Sequence, residues 1–287
     1  MSQSSTKTTH LHLVSDSTGE TLEMIAKAAL AQFDKDQVEQ HFWPMVRSKQ
    51  HLDRIAPSLL EKPGLVLFTL VNPDTRGRLE EHCRQMGLTA VPVLDAVTMA
   101  LEKHLGEEAH GRPGRQHSMD EAYFRRVDAI HYTIAHDDGI GWEDWEEADI
   151  VLVGVSRSSK TPTSIYLANR GYKVANIPLV VEAPPQIELY GLKNPLIVGL
   201  TTAPERLIQI RRNRLLSLNE AAETSYVDDE KVREEVLFAR RMFSNNEWPV
   251  IDVTRRSIEE TAAAVIRFVQ QKKELGGRTE AAPRTAR

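Results

Sequence analysis

Ile150-Val151-Leu152-Val153-Gly154-Val155-Ser156-Arg157-Ser158-Ser159-Lys160-Thr161-Pro162 decides the fold. Four apolar residues form a buried strand, a glycine and hydroxyl-rich loop follows without a break, and Pro162 suits the first turn of a helix. In a G-x-x-x-x-G-K-[ST] loop, backbone N–H groups and a helix N-terminus point at phosphates, the lysine adds a point charge and the hydroxyl can hold Mg²⁺. Gly154, Lys160 and Thr161 fill three of the four fixed places, and Ser159 stands where the second glycine belongs. A Cβ there restricts the backbone and close approach, so the loop could be shaped differently or cradle fewer phosphates, which the extra donors Ser156, Ser158 and Arg157 partly offset. Taken alone, the segment could equally be a Gly/Ser turn; its strand-loop-helix setting favours phosphate. Gly154, Val155, Ser156, Arg157, Ser158, Ser159, Lys160 and Thr161 are therefore the predicted nucleotide-binding residues, with Lys160 the predicted catalytic cation.

Outward from this loop the chain alternates strands and helices. Strands are predicted at His10–Val14, Val38–Val46, Leu65–Val71 and Ala90–Leu94, with helices over Leu22–Phe33, Ser48–Leu60 and Asp74–Met86 between them. Residues 106–119, GEEAHGRPGRQHSM, carry no apolar period and read as a linker or mobile loop, followed by a helix to Ala135. Further strands are predicted at Val174–Pro178, Leu196–Leu200 and Pro249–Val253, with helices at Pro204–Leu216 and Asp229–Phe243. Ser257 and Glu260 form a capping box for the last helix. The alternation predicts an α/β protein of mostly parallel sheets with flanking helices. Its parts are an N-terminal α/β domain at 10–105, a linker and connecting helix at 106–145, a P-loop-like nucleotide-binding domain at 146–272 and a disordered tail at 273–287. No fixed-period internal repeat is visible.

Other positions carry candidate chemistry beside plainer readings. The turn Ser15–Thr21 follows the first strand, where parallel sheets bind ligands; it could hold an anion, or Ser17 and Glu20 could simply cap the helix. Asp16 is left over by that cap and is a candidate catalytic residue. His136, Asp137 and Asp138 precede the phosphate-loop strand; an aspartate there, Asp138 above all, could accept a hydroxyl proton or orient a metal, or merely end a helix. Arg206, Arg211, Arg212 and Arg214 could clamp phosphoryl oxygens, about half of them being surface charges. Asp252 reads as a turn cap. No HExxH or Cys/His cluster occurs among the 10 histidines, which argues against a dedicated zinc site; the metal is left unassigned.

The bulk numbers exclude several classes. With 287 residues, 41% of them hydrophobic and 27% charged, the chain is of ordinary globular composition, and no apolar run approaches the roughly 20 residues of a membrane span. The start, MSQSSTKTTH, has no signal-type apolar stretch, and Cys83 is the only cysteine, so a cytoplasmic location is expected. A net charge of -5 argues against a large nucleic-acid footprint. The chain also lacks the Gly-rich loop, HRD and DFG signatures of protein kinases.

GVSRSSKTPTS, the Asp16–Thr21 segment, HDDG, GLTTAPERLIQIRRNRL and WPVIDVTRRSIEETAAAVI together resemble the bacterial pyruvate, phosphate dikinase regulatory proteins, over His10 to about Phe268. The resemblance implies a bifunctional enzyme. It would use ADP to phosphorylate and inactivate its target at a threonine, and inorganic phosphate to remove that phosphoryl group as pyrophosphate. It places the ADP loop on Gly154–Thr161. The implied partner is pyruvate, phosphate dikinase, the alternative being phosphoenolpyruvate synthase; Mg²⁺, which the Thr161 hydroxyl of the loop could hold, and a homodimer are left open. A small-molecule P-loop kinase and a nucleotide-sensing module without chemistry are the rival readings.

Overall fold

The computed structural model describes residues 8–34, 38–114, 121–183, 185, 187–217 and 225–280. The chain divides into two compact units, Met1–Ser118 and Met119–Arg287.

The first unit runs β1 (Thr9–Ser15), α1 (Glu20–Leu30), β2 (Val38–Trp43), α2 (Lys49–Glu61), β3 (Gly64–Thr69), α3 (Pro73–Met86), β4 (Ala90–Pro92) and α4 (Asp95–Leu105). Its four strands are all parallel, in the order β2-β1-β3-β4. Alternation along β1 splits the core: Leu11 and Leu13 pack with Leu22 and Ala26 of α1, whereas Val14 joins Leu52, Ile55 and Leu59 of α2 and Leu79 and Cys83 of α3 on the other face. The helix ends follow capping chemistry. Asn72 accepts the Asp74 and Thr75 N–H groups ahead of α3, and Gly87 closes it in the left-handed conformation. The predicted strand to Val46 stops at Trp43, because Pro44 cannot donate to the ladder and Met45 takes a positive φ of 58°. Helix α4, absent from the sequence reading, carries Val97, Leu101 and Leu105 at helical spacing but leaves them exposed, with no fully buried side chain.

The second unit runs α5 (Glu121–Ala135), β5 (Ile150–Gly154), α6 (Lys160–Ala168), β6 (Val174–Pro178), β7 (Leu196–Thr201), α7 (Pro204–Ser217), α8 (Asp229–Asn245), β8 (Val250–Asp252) and α9 (Ile258–Glu280). Its parallel sheet has the order β6-β5-β7-β8, the same permutation as the first unit. Every residue of β5 is buried, as a central parallel strand covered on both faces requires. Val151 and Val153 face the core closed by α5, α7 and α8, and Ile150 and Leu152 face that closed by α6 and α9.

Residues 106–114 contain no helix or strand, whereas α5 packs inside the second unit against α6 and β6. The tail predicted from 273 is helical as far as Glu280; residues 281–287 lie outside the described residues. Among the described residues no helix is long and apolar enough to cross a membrane.

Candidate active site in the phosphate loop

In both sheets the strand that opens the unit is flanked on either side by strands that follow it, so the chain reverses direction across the sheet beside β1 and beside β5. Ligand crevices form at the carboxyl ends of strands at such switch points. The loop Gly154–Thr161 leaves β5 there. It borders a cleft of about 340 Å³ lined by Asp137, Asp138, Ser156, Arg157, Ser159, Lys160, Thr161, Pro162 and Ile210.

The loop accommodates serine where the motif has its second glycine. Ser159 occupies the left-handed region at φ 64°, ψ 20° as the residue preceding α6, and Arg157 has φ 69°. Ser159 thus takes, with its side chain in place, a backbone conformation that glycine adopts at no steric cost. Gly154 is different. A Cβ there would stand 2.6 Å from both the Leu200 carbonyl oxygen and Ser158 Oγ, so close packing demands glycine. Ser158, fully buried, donates to the Val155 carbonyl at 2.9 Å.

Lys160 lies beneath this backbone, 6% exposed. Its ammonium donates to the carbonyls of Gly154 at 2.9 Å and Val155 at 3.1 Å. Burial lowers its pKa to about 8 against the supporting charges of Asp138 and Asp137. Among the described residues the hydrogen bonds of this buried cation go to loop carbonyls.

Asp137 and Asp138 come from a turn built on backbone bonds to β6. Asn176 N–H donates to His136 O at 3.0 Å, and Gly139 N–H to Asn176 O at 2.8 Å. His136 stacks on Tyr132 with ring centroids 3.8 Å apart, and a side chain at Gly141 would strike the His136 ring at 2.6 Å. This turn places Asp137 beside the loop: Thr161 Oγ1 donates to Asp137 Oδ1 at 3.1 Å. Asn176 Nδ2 donates to both, to Thr161 Oγ1 at 2.9 Å and to Asp137 Oδ1. Asp138, in the left-handed region at φ 57°, lines the same cleft.

Of the four arginines, Arg211 does not serve as a free clamp. It is fully buried, ion-paired with Glu235, and donates to the carbonyls of Tyr226 at 3.0 Å and Ser156 at 3.3 Å. Arg206 bonds Gln209, and Arg212 and Arg214 are exposed. Tyr226, which no motif marks, stands 3.2 Å from Ser156 Oγ and accepts from Arg157 Nε at 3.3 Å. Asn176 also escaped the sequence reading; the one hint is an amide inside the apolar strand Val174–Pro178. Asp252 accepts the Thr254 N–H at 2.9 Å, the cap predicted for it.

Asp16 belongs to the first unit, where it borders a cleft of about 130 Å³ with Ser15, Ser17, Gly19, Thr21, Thr69 and Arg112. It is buried, its Oδ2 accepts the Val71 N–H at 2.8 Å, and burial raises its pKa. Of the two readings of this turn, the capping box of Ser17 and Glu20 is not formed. Gly19, at φ 85°, precedes α1 without any side-chain cap, and the Ser17 N–H instead donates to Ser15 Oγ.

Residues 11–266 match the model of the kinase/pyrophosphorylase family. The chain belongs to that family. It is 76% identical over 262 residues to a protein of Erythrobacter litoralis, covering 91% of this chain and 94% of the relative. Identity is 72% to a protein of Novosphingobium aromaticivorans, over 93% of this chain and 95% of the relative, and 53% to one of Caulobacter vibrioides, over 91% and 82%. All three are named as candidate pyruvate, phosphate dikinase regulatory proteins.

Proposed function

We propose that this kinase/pyrophosphorylase regulates pyruvate, phosphate dikinase by moving a phosphoryl group on and off a threonine of that enzyme. In one direction the β-phosphoryl of ADP passes to the threonine hydroxyl, releasing AMP. In the other, inorganic phosphate takes the phosphoryl group from phosphothreonine, releasing pyrophosphate and restoring the hydroxyl. The observation that carries this reading is the buried Lys160 ammonium under the Gly154–Thr161 backbone, with the Thr161–Asp137 pair at its mouth. The names of the relatives supply the target.

Phosphoryl transfer asks a protein to position groups and neutralise charge. Loop N–H groups and Lys160 would hold the transferring phosphate, and Asp138 would align the acceptor hydroxyl and take its proton. Thr161 Oγ1 and Asp137 Oδ1, 3.1 Å apart, fit adjacent corners of a Mg²⁺ octahedron, whose edge is about 2.9 Å for bonds of about 2.0–2.1 Å. Mg²⁺ held there would supply charge neutralisation. For inorganic phosphate, the Asp16–Thr21 turn suits the role better than the α7 arginines, because Arg211 is already committed to Glu235 while Arg112 borders the Asp16 cleft.

Purified chain, dikinase carrying its catalytic phosphohistidine and β-labelled ADP test the proposal. Label on a dikinase threonine with wild type, absent with Lys160→Ala, is the expected result. Label on phosphoenolpyruvate synthase alone would change the target. Label on neither would overturn the kinase reading and favour a small-molecule substrate.

A further inference from the structure

Histidines gather at the N-terminal edge of the first sheet, the edge opposite Asp16. Parallel register sets His10 of β1 beside Glu39 of β2, and His12 beside His41, all on one face. His10 Nδ1 lies 3.1 Å from His41 Nε2 and 3.5 Å from Glu39 Oε2, and His41 Nε2 lies 3.7 Å from Glu39 Oε1. A tetrahedral ion with bonds of about 2.0–2.1 Å holds its ligands about 3.3 Å apart. His10 Nδ1 therefore meets both partners near that spacing, the three ligand atoms all lie within 4.8 Å of one another, and among the described residues they are the group that converges in this way.

The surroundings orient these donors. His12 has both ring nitrogens engaged, Nε2 with the Lys62 carbonyl at 2.8 Å and Nδ1 accepting the Trp43 indole N–H at 3.2 Å. It does not ligate; its ring stacks on His41 at 4.7 Å and fixes that imidazole's plane. Lys62 Nζ sits 2.6 Å from Glu39 Oε1, which leaves Oε2 turned toward His10 and gives the carboxylate an outer partner. The Glu39 side chain is 46% exposed, so an ion can enter from solvent while both imidazoles stay mostly covered.

We propose that His10, His41 and Glu39 bind one divalent transition-metal ion of the zinc class, with water completing the sphere. Two imidazoles with one carboxylate select such ions over Mg²⁺ and Ca²⁺, which take oxygen sets. The ion ties β1 to β2 within the first unit, whereas the phosphate loop belongs to the second.

The test is a Co²⁺ titration of the full chain stripped by chelation, with excess Mg²⁺ occupying oxygen sites. One equivalent should bind with the visible absorption of a low-coordinate cobalt centre, be displaced by Zn²⁺, and raise Tm. His10→Ala and His41→Ala should lose that equivalent, and Glu39→Gln should weaken it at least 10-fold, the lower bound of about 10–100-fold seen for loss of even an outer partner. His51→Ala, on α2, should bind as wild type. Absence of a bound equivalent, or unchanged binding in the His10 and His41 variants, would overturn the proposal. Should those variants not fold, Glu39→Gln decides: unchanged affinity and spectrum would overturn it equally.

Discussion

Arg211 Nη2 lies 2.6 Å from Glu235 Oε2, and the same guanidinium reaches the Ser156 carbonyl and stacks on Tyr226 at 4.5 Å. One ion pair between α7 and α8 thus supports the phosphate loop from below. Glu235→Ala leaves a buried cation without its partner, which costs about 2–3 kcal/mol once the partial exposure of Glu235 is allowed for. Urea unfolding should show that loss together with weaker ADP binding. Arg206→Ala, removing an exposed arginine of the same helix, should change stability by less than about 0.5 kcal/mol.

Lys160 gives the site a pH dependence. Its folded pKa of about 8 lies below its ordinary 10.5, so the unfolded chain binds more protons between those values. Stability from this group therefore rises as pH increases from about 8 to 10.5, while the cation that attracts phosphate is lost over the same window. ADP affinity measured calorimetrically should fall above about pH 8 in wild type. A flat profile to pH 10 would remove Lys160 as the phosphate-facing cation.

Ser159 and Gly154 should respond oppositely to substitution. Left-handed backbone costs a non-glycine residue roughly 1–2 kcal/mol, against about 0.5–1 kcal/mol of extra entropy for glycine, so Ser159→Gly should leave stability unchanged or raise it by about 1 kcal/mol. Gly154→Ala must displace the Leu200 carbonyl or Ser158, and should lower Tm and abolish ADP binding. Thermal melts with and without ADP distinguish the two.

The Thr161–Asp137 pair should govern Mg²⁺ dependence. Thr161→Val and Asp137→Asn are expected to cut the rate of label transfer at least 10²-fold, whereas Thr161→Ser keeps the hydroxyl and most of the activity. Raising Mg²⁺ should rescue Thr161→Ser if it is impaired, and not Thr161→Val. Equal activity of all three would detach the pair from catalysis.

Asp16 combines burial with a raised pKa, so its ionised form is held at a cost to stability at neutral pH. Asp16→Asn retains an acceptor for the Val71 N–H and removes that charge. It should stabilise the protein at pH 7, with the gain shrinking as pH falls through the pKa of Asp16. If the Asp16 turn serves phosphorolysis, pyrophosphate release should nevertheless drop sharply. A variant both less stable and fully active would make Asp16 purely structural.

The sequence by itself determined the two α/β units, every parallel strand to within a few residues, the position of the Gly154–Thr161 loop and the family to which the chain belongs. Those readings rest on local physics: apolar runs such as Ile150–Val153 and caps such as Ser257 with Glu260 depend on neighbours in the chain. The tertiary structure decided what depends on distant neighbours. It showed that both sheets share one strand order although no repeat is legible, since topology is set by which strands pair and leaves no period behind. It brought Asn176 and Asp137 to Thr161, committed Arg211 to Glu235, and gave α1 a glycine start in place of the Ser17 cap. His10, Glu39 and His41 meet because β1 and β2 pair in parallel register, so ligands 29 residues apart in sequence become cross-strand neighbours, a spacing that no local motif encodes.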